Sequence, residues 1–312
     1  MTAFPERDSA IDALRVILAI FVIGIHTGFP DLAQPEARQM LVNGLYRVAV
    51  PVFALISGFF FARAVQRRRA GRYLRRIVGL YAIWMLVYAP FYGPEITSPT
   101  HLLQLWVFGY FHLWFLAGMI LAGVLLLALI RWQVPLRRIV MLALFLAGVG
   151  IGLQYLVLSE RVLLPLDLYR NGILVIFPFF AMGYALALSG LRRIGAGGAM
   201  LTALSLLAVM AESLIWYRIA RGTYGVDTML SLLICAPLIV LAALSVRGMP
   251  GGRGLASLAA FTYFAHILAM IAATRLGLEG DPKFAFVVAL CLGLWCLLHS
   301  FGAGRRLLAI LT

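Results

Sequence analysis

Apolar residues run through this chain in blocks of about twenty, divided by short stretches rich in arginine, glycine and proline. A helix that crosses a bilayer needs about 20 mostly apolar residues. The pattern yields about ten such runs: 12–30, 45–62, 77–93, 111–131, 138–158, 171–189, 199–217, 228–246, 256–276 and 283–302. Turn-forming or charged breaks separate them at Gly93-Pro94, Arg131 to Arg138, Arg192 to Gly198, Gly248 to Gly254 and Gly280-Asp281-Pro282. The expected fold is an all-α integral membrane protein, with about ten transmembrane helices in one bundle and residues 1–312 as a single polytopic domain. The first run is too long for the apolar core of a cleaved leader and is followed by further spans.

Composition sharpens this picture. Apolar residues make up 63% of the chain and charged residues 12%, with a mean hydropathy of +0.98. Soluble domains run at about 45–50% apolar and about 25% charged. A water-soluble enzyme, a disordered chain and a disulfide-stapled module are therefore excluded. Lys and Arg number 26 against 12 Asp and Glu, for a net charge of +14. The arginines lie in clusters between apolar runs, which suits loops at an anionic cytoplasmic leaflet rather than a nucleic-acid partner. With a cytoplasmic N-terminus and alternating spans, eighteen cationic residues fall on inside segments and eight on outside ones. Arg7, Arg63, Arg67, Arg68, Arg69, Arg72, Arg75, Arg76 and Arg247 are among the inside set; Arg38, Arg47, Arg170 and Lys283 are among the outside set. An even span count then places both termini in the cytoplasm. Cys235, Cys291 and Cys296 lie in apolar stretches without ligand spacing and read as packing residues; no metal site is implied.

Ionisable residues within spans are where chemistry is expected. The first span carries Asp12, Arg15 and His26. Eleven residues separate Arg15 from His26, which returns to within about 20° of the same helix face after an axial rise of about 16 Å. Asp12 lies three residues before Arg15 and can pair with it. One face thus carries a cation near the cytoplasmic surface and an imidazole at depth. The plainer reading is a topological anchor and a packing histidine. Glu212 lies inside the seventh run, where pairing with an arginine, proton handling and acceptor contact are all open. His101, in a polar outer stretch, reads as solvated, and His299 as structural.

The order of motifs adds a resemblance. Arg7-Asp8 through Ile11-Asp12-Ala13-Leu14-Arg15, followed by His26, resembles the opening helix of the membrane-embedded acyltransferase 3 family. Pro51-Val52-Phe53-Ala54-Leu55-Ile56-Ser57-Gly58-Phe59, Tyr73-Leu74-Arg75-Arg76-Ile77 and Phe111-His112-Leu113-Trp114-Phe115-Leu116 resemble successive family segments. So do Phe177-Pro178-Phe179-Phe180-Ala181-Met182-Gly183-Tyr184 and Tyr263-Phe264-Ala265-His266. The family often has an arginine followed by Tyr-Pro where this chain has Gly79 and Leu80-Tyr81-Ala82.

The resemblance implies a membrane O-acyltransferase. Such an enzyme moves an acyl group, typically acetyl, from cytoplasmic acyl-CoA to a hydroxyl of an envelope glycan, lipid-linked sugar or similar acceptor. It implies His26 as the catalytic base or acyl carrier. It places the CoA phosphates among Arg15, Arg72, Arg75 and Arg76, since the guanidinium fork suits phosphate. Asp12, His112, Trp114, Tyr263 and His266 would line the site, and Arg170 could meet an anionic acceptor. Acyl-CoA is a substrate, and no cofactor is tightly bound. Expected surroundings are the lipids of a bacterial inner membrane. Larger family members carry a soluble domain; none is expected fused here, so such a partner would be a separate protein. The rival reading from another class is a multi-span transporter or exporter of small acids or glycan units. The other large class of multi-span O-acyltransferases fits the motif order less well, and a purely structural role fits least.

Overall fold

The computed structural model describes residues 9–32, 34–222, 225–246 and 253–312. Arg7 and Asp8 of the opening motif, Arg247 and the turn-rich break at 248–252 lie outside the described residues. The described chain forms helices α1 (Ser9–Thr27), α2 (Pro35–Gln39), α3 (Ala49–Gln66), α4 (Ala70–Tyr92), α5 (Pro99–Phe108) and α6 (Trp114–Arg131). Next come α7 (Leu136–Leu158), α8 (Phe177–Ser189), α9 (Ala196–Ile219), α10 (Leu232–Ser245), α11 (Arg253–Arg275), α12 (Gly280–Ser300) and α13 (Gly302–Leu311). No strand occurs among the described residues. A π-helical turn (Met40–Gly44) and a 3-10 turn (Leu45–Val48) join α2 to α3 into one apolar stretch, Pro35–Gln66, longer than the predicted 45–62. Large apolar side chains such as Leu86, Phe145, Leu207 and Ile234 are exposed along the helices, as a lipid solvent allows.

Nine helical stretches among the described residues are long and apolar enough to cross a membrane, so this is an all-α multi-pass membrane protein. The eighth predicted run differs. Its helix, α10, covers only Leu232–Ser245, 14 residues. Residues 225–231 before it are irregular, although Val226 and Met229 are fully buried. Non-helical backbone survives in a membrane protein where protein, not lipid, surrounds it. Here side chains hold it. Asp227 pairs with Arg47, and the Glu212 carboxylate accepts from the Leu230 and Ser231 amides, both at 2.8 Å, at the start of α10. A carboxylate there also meets the positive end of the helix dipole. The polar stretch around His101 is likewise ordered, as α5, with the Ser98 hydroxyl accepting from the His101 amide.

The chain divides into two compact units. Met1–Ala49, Leu158–Glu160 and Arg192–Thr312 form one, and Val50–Val157 with Arg161–Leu191 form the other. In the first unit, α1 packs along α11 and α12, α9 packs against α10 and the π turn, and α13 folds back on α12. Ile23, Ala269, Ala273, Val287 and Cys291 make a buried core where α1, α11 and α12 meet. In the second unit, α6 packs against α4, α8 and the π-helical turn Gly172–Ile176 that leads into α8.

Two motif glycines hold that second unit together. A Cβ on Gly58 would overlap the Phe180 carbonyl, and one on Gly183 would overlap the Leu55 carbonyl. Each helix backbone therefore lies in the notch left by the other's missing side chain, the small-residue contact that brings membrane helices close. Gly79, the departure from the family pattern, has nothing within 4 Å of a would-be Cβ. Gly58→Ala is expected to lower the Tm in detergent, with a cost of about 1–3 kcal/mol or more because the obstacle is backbone. Gly79→Ala is expected to leave the Tm unchanged or raise it. Equal Tm values for the two variants would overturn this assignment.

Candidate active site

The first unit gathers half of the site residues named from sequence. Asp12 is 5% exposed, in the first turn of α1, and its carboxylate lies 3.6 Å from the Arg15 guanidinium. Arg15 keeps about a quarter of its side chain exposed, so a buried carboxylate steadies a cation that still reaches outward. The 12, 15, 19, 22, 26 spacing continues this face along α1. Ala19 and Val22, between Arg15 and His26 on that face, are buried. His26 closes the helix, half-buried in its last turn.

The partner of His26 comes from far along the chain. Its ring stacks on that of His266 in α11, with centroids 5.3 Å apart and planes 26° apart. His266 is fully buried, and its Nδ1 lies 2.6 Å from the carbonyl oxygen of Tyr263. A carbonyl only accepts, so Nδ1 carries the hydrogen and the neutral ring has its lone pair at Nε2. The same geometry rules out a relay through Nδ1, because the carbonyl has no capacity to take that proton. His266 therefore serves to hold a ring face against His26. Tyr263 is buried beside it, 6.1 Å between ring centroids. Five of the sequence-named residues, His26 and His266 with Tyr263 close by and Asp12–Arg15 lower on the same face of α1, thus fall on one helix pair.

The second unit places the others. Gly109 has φ +88°, and a Cβ there would lie 2.6 Å from the Trp114 amide nitrogen, so only glycine makes this tight turn. Phe111 follows at φ +47°, a conformation costly for a bulky residue. The turn delivers His112, 3% exposed, edge-on to Tyr88 at 5.3 Å. Trp114 is half-buried, with the Arg170 guanidinium 5.2 Å from its ring centroid. This cation–π contact gives Arg170 an aromatic seat that the sequence did not foretell. Partial burial, with the Glu95 carboxylate adding to it, pushes the Tyr110 phenol above its ordinary pKa. Arg72, Arg75 and Arg76 are exposed on α4 and share a helix face by their spacing.

A second polar chain in the first unit was not read from sequence. The Gln39 amide donates to the Ser213 hydroxyl at 3.1 Å, Asn43 donates to Gln39 at 2.8 Å, and Arg47 donates to Asn43 at 2.6 Å and to Asp227. Gln39, Asn43 and Arg47 recur every four residues in an apolar stretch, and that spacing is the signal that could have revealed the chain. His299, read as structural, stacks on Trp295 at 4.7 Å. Cys235 and Cys291 are buried thiols and Cys296 an exposed one.

A family model described as an acyltransferase domain, that of the acyltransferase 3 family, matches residues 8–301. The chain belongs to this acyltransferase family. The match takes in every motif noted above, from Asp8 to His266. Among curated proteins, the chain is 27% identical over 231 residues to a serine/alanine racemase of Enterococcus gallinarum, covering 66% of this chain and 33% of that protein. It is 29% identical over 162 residues to an amino-acid racemase of Enterococcus faecalis, covering 47% of this chain and 23% of that protein. The acyltransferase chain thus spans a third or less of these relatives' length, and racemase activity is theirs by name. No solved structure matches it significantly.

Proposed function

We propose that this acyltransferase transfers an acyl group, typically acetyl, from cytoplasmic acyl-CoA to a hydroxyl of an envelope glycan, lipid-linked sugar or similar acceptor. The observation that carries this reading is the first-unit arrangement: a carboxylate-steadied arginine at one end of α1 and a stacked imidazole at the other. The rise between them, about 16 Å, is of the order of an extended pantetheine arm. Family membership supports acyl transfer, and the placement of Arg15 and His26 supports a donor that reaches along α1.

In this reading the acceptor hydroxyl gives its proton to His26 as its oxygen bonds the thioester carbonyl carbon. The C–S bond then breaks, the CoA thiolate leaves, and the proton held by His26 restores the thiol. A sugar hydroxyl barely ionises at neutral pH, so a positioned base of this kind contributes about 10²–10⁴-fold. His266 and Tyr263 orient the base. Arg15 meets the anionic donor, while Asp12 holds its guanidinium in place. On their own helix face, Arg72, Arg75 and Arg76 offer further bidentate donors to phosphate. His112 and Trp114, with Arg170 on the tryptophan face, contribute to acceptor recognition.

The protein is proposed to sit in the bacterial inner membrane with both termini cytoplasmic. At about 1.5 Å per residue, α10 spans about 21 Å and falls short of a core about 30 Å thick. The seven irregular residues before it reach up to about 20 Å further when extended. Together they complete a tenth crossing and keep the count even.

His26→Ala is expected to abolish transfer of label from radiolabelled acetyl-CoA to envelope glycan while the protein stays in the membrane; near-normal turnover would refute the base assignment. Arg15→Ala is expected to raise the KM for acetyl-CoA tenfold or more, and an unchanged KM would remove Arg15 from the donor site. Cysteine tags at the two ends are expected to react with a membrane-impermeant thiol reagent only in inverted vesicles. Labelling of the ends from opposite sides would overturn the even count.

A further inference from the structure

A threonine in an apolar helix ordinarily satisfies its hydroxyl by donating to the carbonyl one turn back. This chain does so repeatedly. Thr27 bonds the Ile23 carbonyl at 2.9 Å, Thr202 that of Gly198 at 2.8 Å, and Thr274 that of Met270 at 3.0 Å. Thr262, in the middle of α11, breaks the pattern: it is 4% exposed, and its Oγ1 is buried with no hydrogen-bond partner. An isolated buried hydroxyl is a standing cost to the fold. Valine would fill the same volume without it.

Its place on α11 says what the hydroxyl is for. Thr262 precedes His266 by four residues, so the two share a helix face, one turn apart. The 4-3-4 spacing of 262, 266, 269 and 273 makes one stripe, and α1 packs along it. His266 stacks on His26, and Ala269 and Ala273 share a buried core with Ile23 of α1 and with Val287 and Cys291 of α12. The two helices run in the same direction. Beyond the end of α1, Phe29 stacks on Phe284 at 3.8 Å and the Asp31 amide donates to Asp281 at 2.7 Å, at the start of α12, which directly follows α11. One turn back from His266 is therefore a step toward the Arg15 end of α1. The unpartnered hydroxyl lies on the seam below the imidazole pair, on the side from which the donor arrives under the proposed function.

We infer that Thr262 is a further catalytic residue: its hydroxyl donates a hydrogen bond to the carbonyl oxygen of the acyl thioester. As the acceptor oxygen adds to the carbonyl carbon, negative charge builds on that carbonyl oxygen, and a donor already in place and short of partners stabilises it. The charge returns to the carbon–oxygen double bond as the C–S bond breaks, and the Thr262 proton never leaves its oxygen. Loss of one such donor typically costs about 10²–10³ in kcat. This inference rests on the acyl-transfer reading.

The test uses membranes holding the full chain, with radiolabelled acetyl-CoA as donor and the endogenous envelope glycan as acceptor. Thr262→Val is expected to lower kcat about 10²-fold, to change the KM for acetyl-CoA less than about threefold, and to leave the Tm in detergent equal or higher. Thr262→Ser is expected to recover most of the rate. Full turnover in the valine variant would overturn the inference while leaving the acyl-transfer reading intact. So would a lowered Tm with no recovery by serine, which is the signature of a packing role. No incorporation by wild-type membranes above that of membranes lacking the protein would sink the acyl-transfer reading itself, and this inference with it.

Discussion

In a lipid solvent a polar group has only the protein to bond with, and the interior of this chain is organised by that requirement. Asp12 is tolerable in the first turn of α1 because Arg15 stands beside it. The irregular segment 225–231 is tolerable because Arg47 takes Asp227 and Glu212 takes the amides that open α10. The Gln39–Asn43–Arg47 chain relays that satisfaction onward to Ser213 in α9. Where lipid is the neighbour, side chains are apolar and exposed; where Asp12 and Gln39 are buried, a partner stands beside each.

Helix-to-helix attraction needs a separate explanation, because lipid is as apolar as leucine and provides no hydrophobic drive between spans. Close backbone approach supplies it. Gly58 and Gly183 each receive the other helix's carbonyl, and in the same unit Gly118 and Gly172 meet where α6 crosses the π turn before α8. These contacts are rigid, since backbone cannot yield as a side chain can. A rigid frame of this kind suits a site whose groups must be held within a fraction of an ångström. Gly109 serves the same end locally, making the one turn that carries His112 and Trp114 to the start of α6.

On the α1–α11 pair, the chemistry reduces to few groups. The His266 ring is held by the Tyr263 carbonyl and stacks its face on the ring of His26. Within α1, fixed charge is confined to Arg15 and its buried carboxylate, at the end opposite His26. Between these ends the face is small and apolar on α1, with Ala19 and Val22, and carries the Thr262 hydroxyl on α11. Under the proposed function, an acyl-CoA laid along this seam would meet Arg15 at its phosphates, Thr262 at its thioester carbonyl and His26 at the acceptor hydroxyl.

Much of this was legible along the chain. Block hydropathy gave the spans, because twenty-residue apolar runs have no other soluble fate, and helical periodicity put Asp12, Arg15 and His26 on one face. Six short motifs in order named the family that the whole-chain match then established. Other features were hidden because they are pairings between distant positions. Periodicity reads one helix at a time. It has no access to the 240 residues that separate His26 from His266, nor to the carbonyl waiting opposite Gly58. The eighth run looked like any other apolar block, and its unwound first half is held by Arg47, before α3, pairing with Asp227 and by Glu212, in α9, accepting from the Leu230 and Ser231 amides. Thr262 lies between two aromatics, Phe261 and Tyr263, and no local pattern singles it out. Sequence by itself determined which segments leave water and which residues could do chemistry. Tertiary structure alone decided which of them share a seam, because that depends on how two helices are rotated and shifted against each other, and such rotation and shift are set by packing rather than by local pattern.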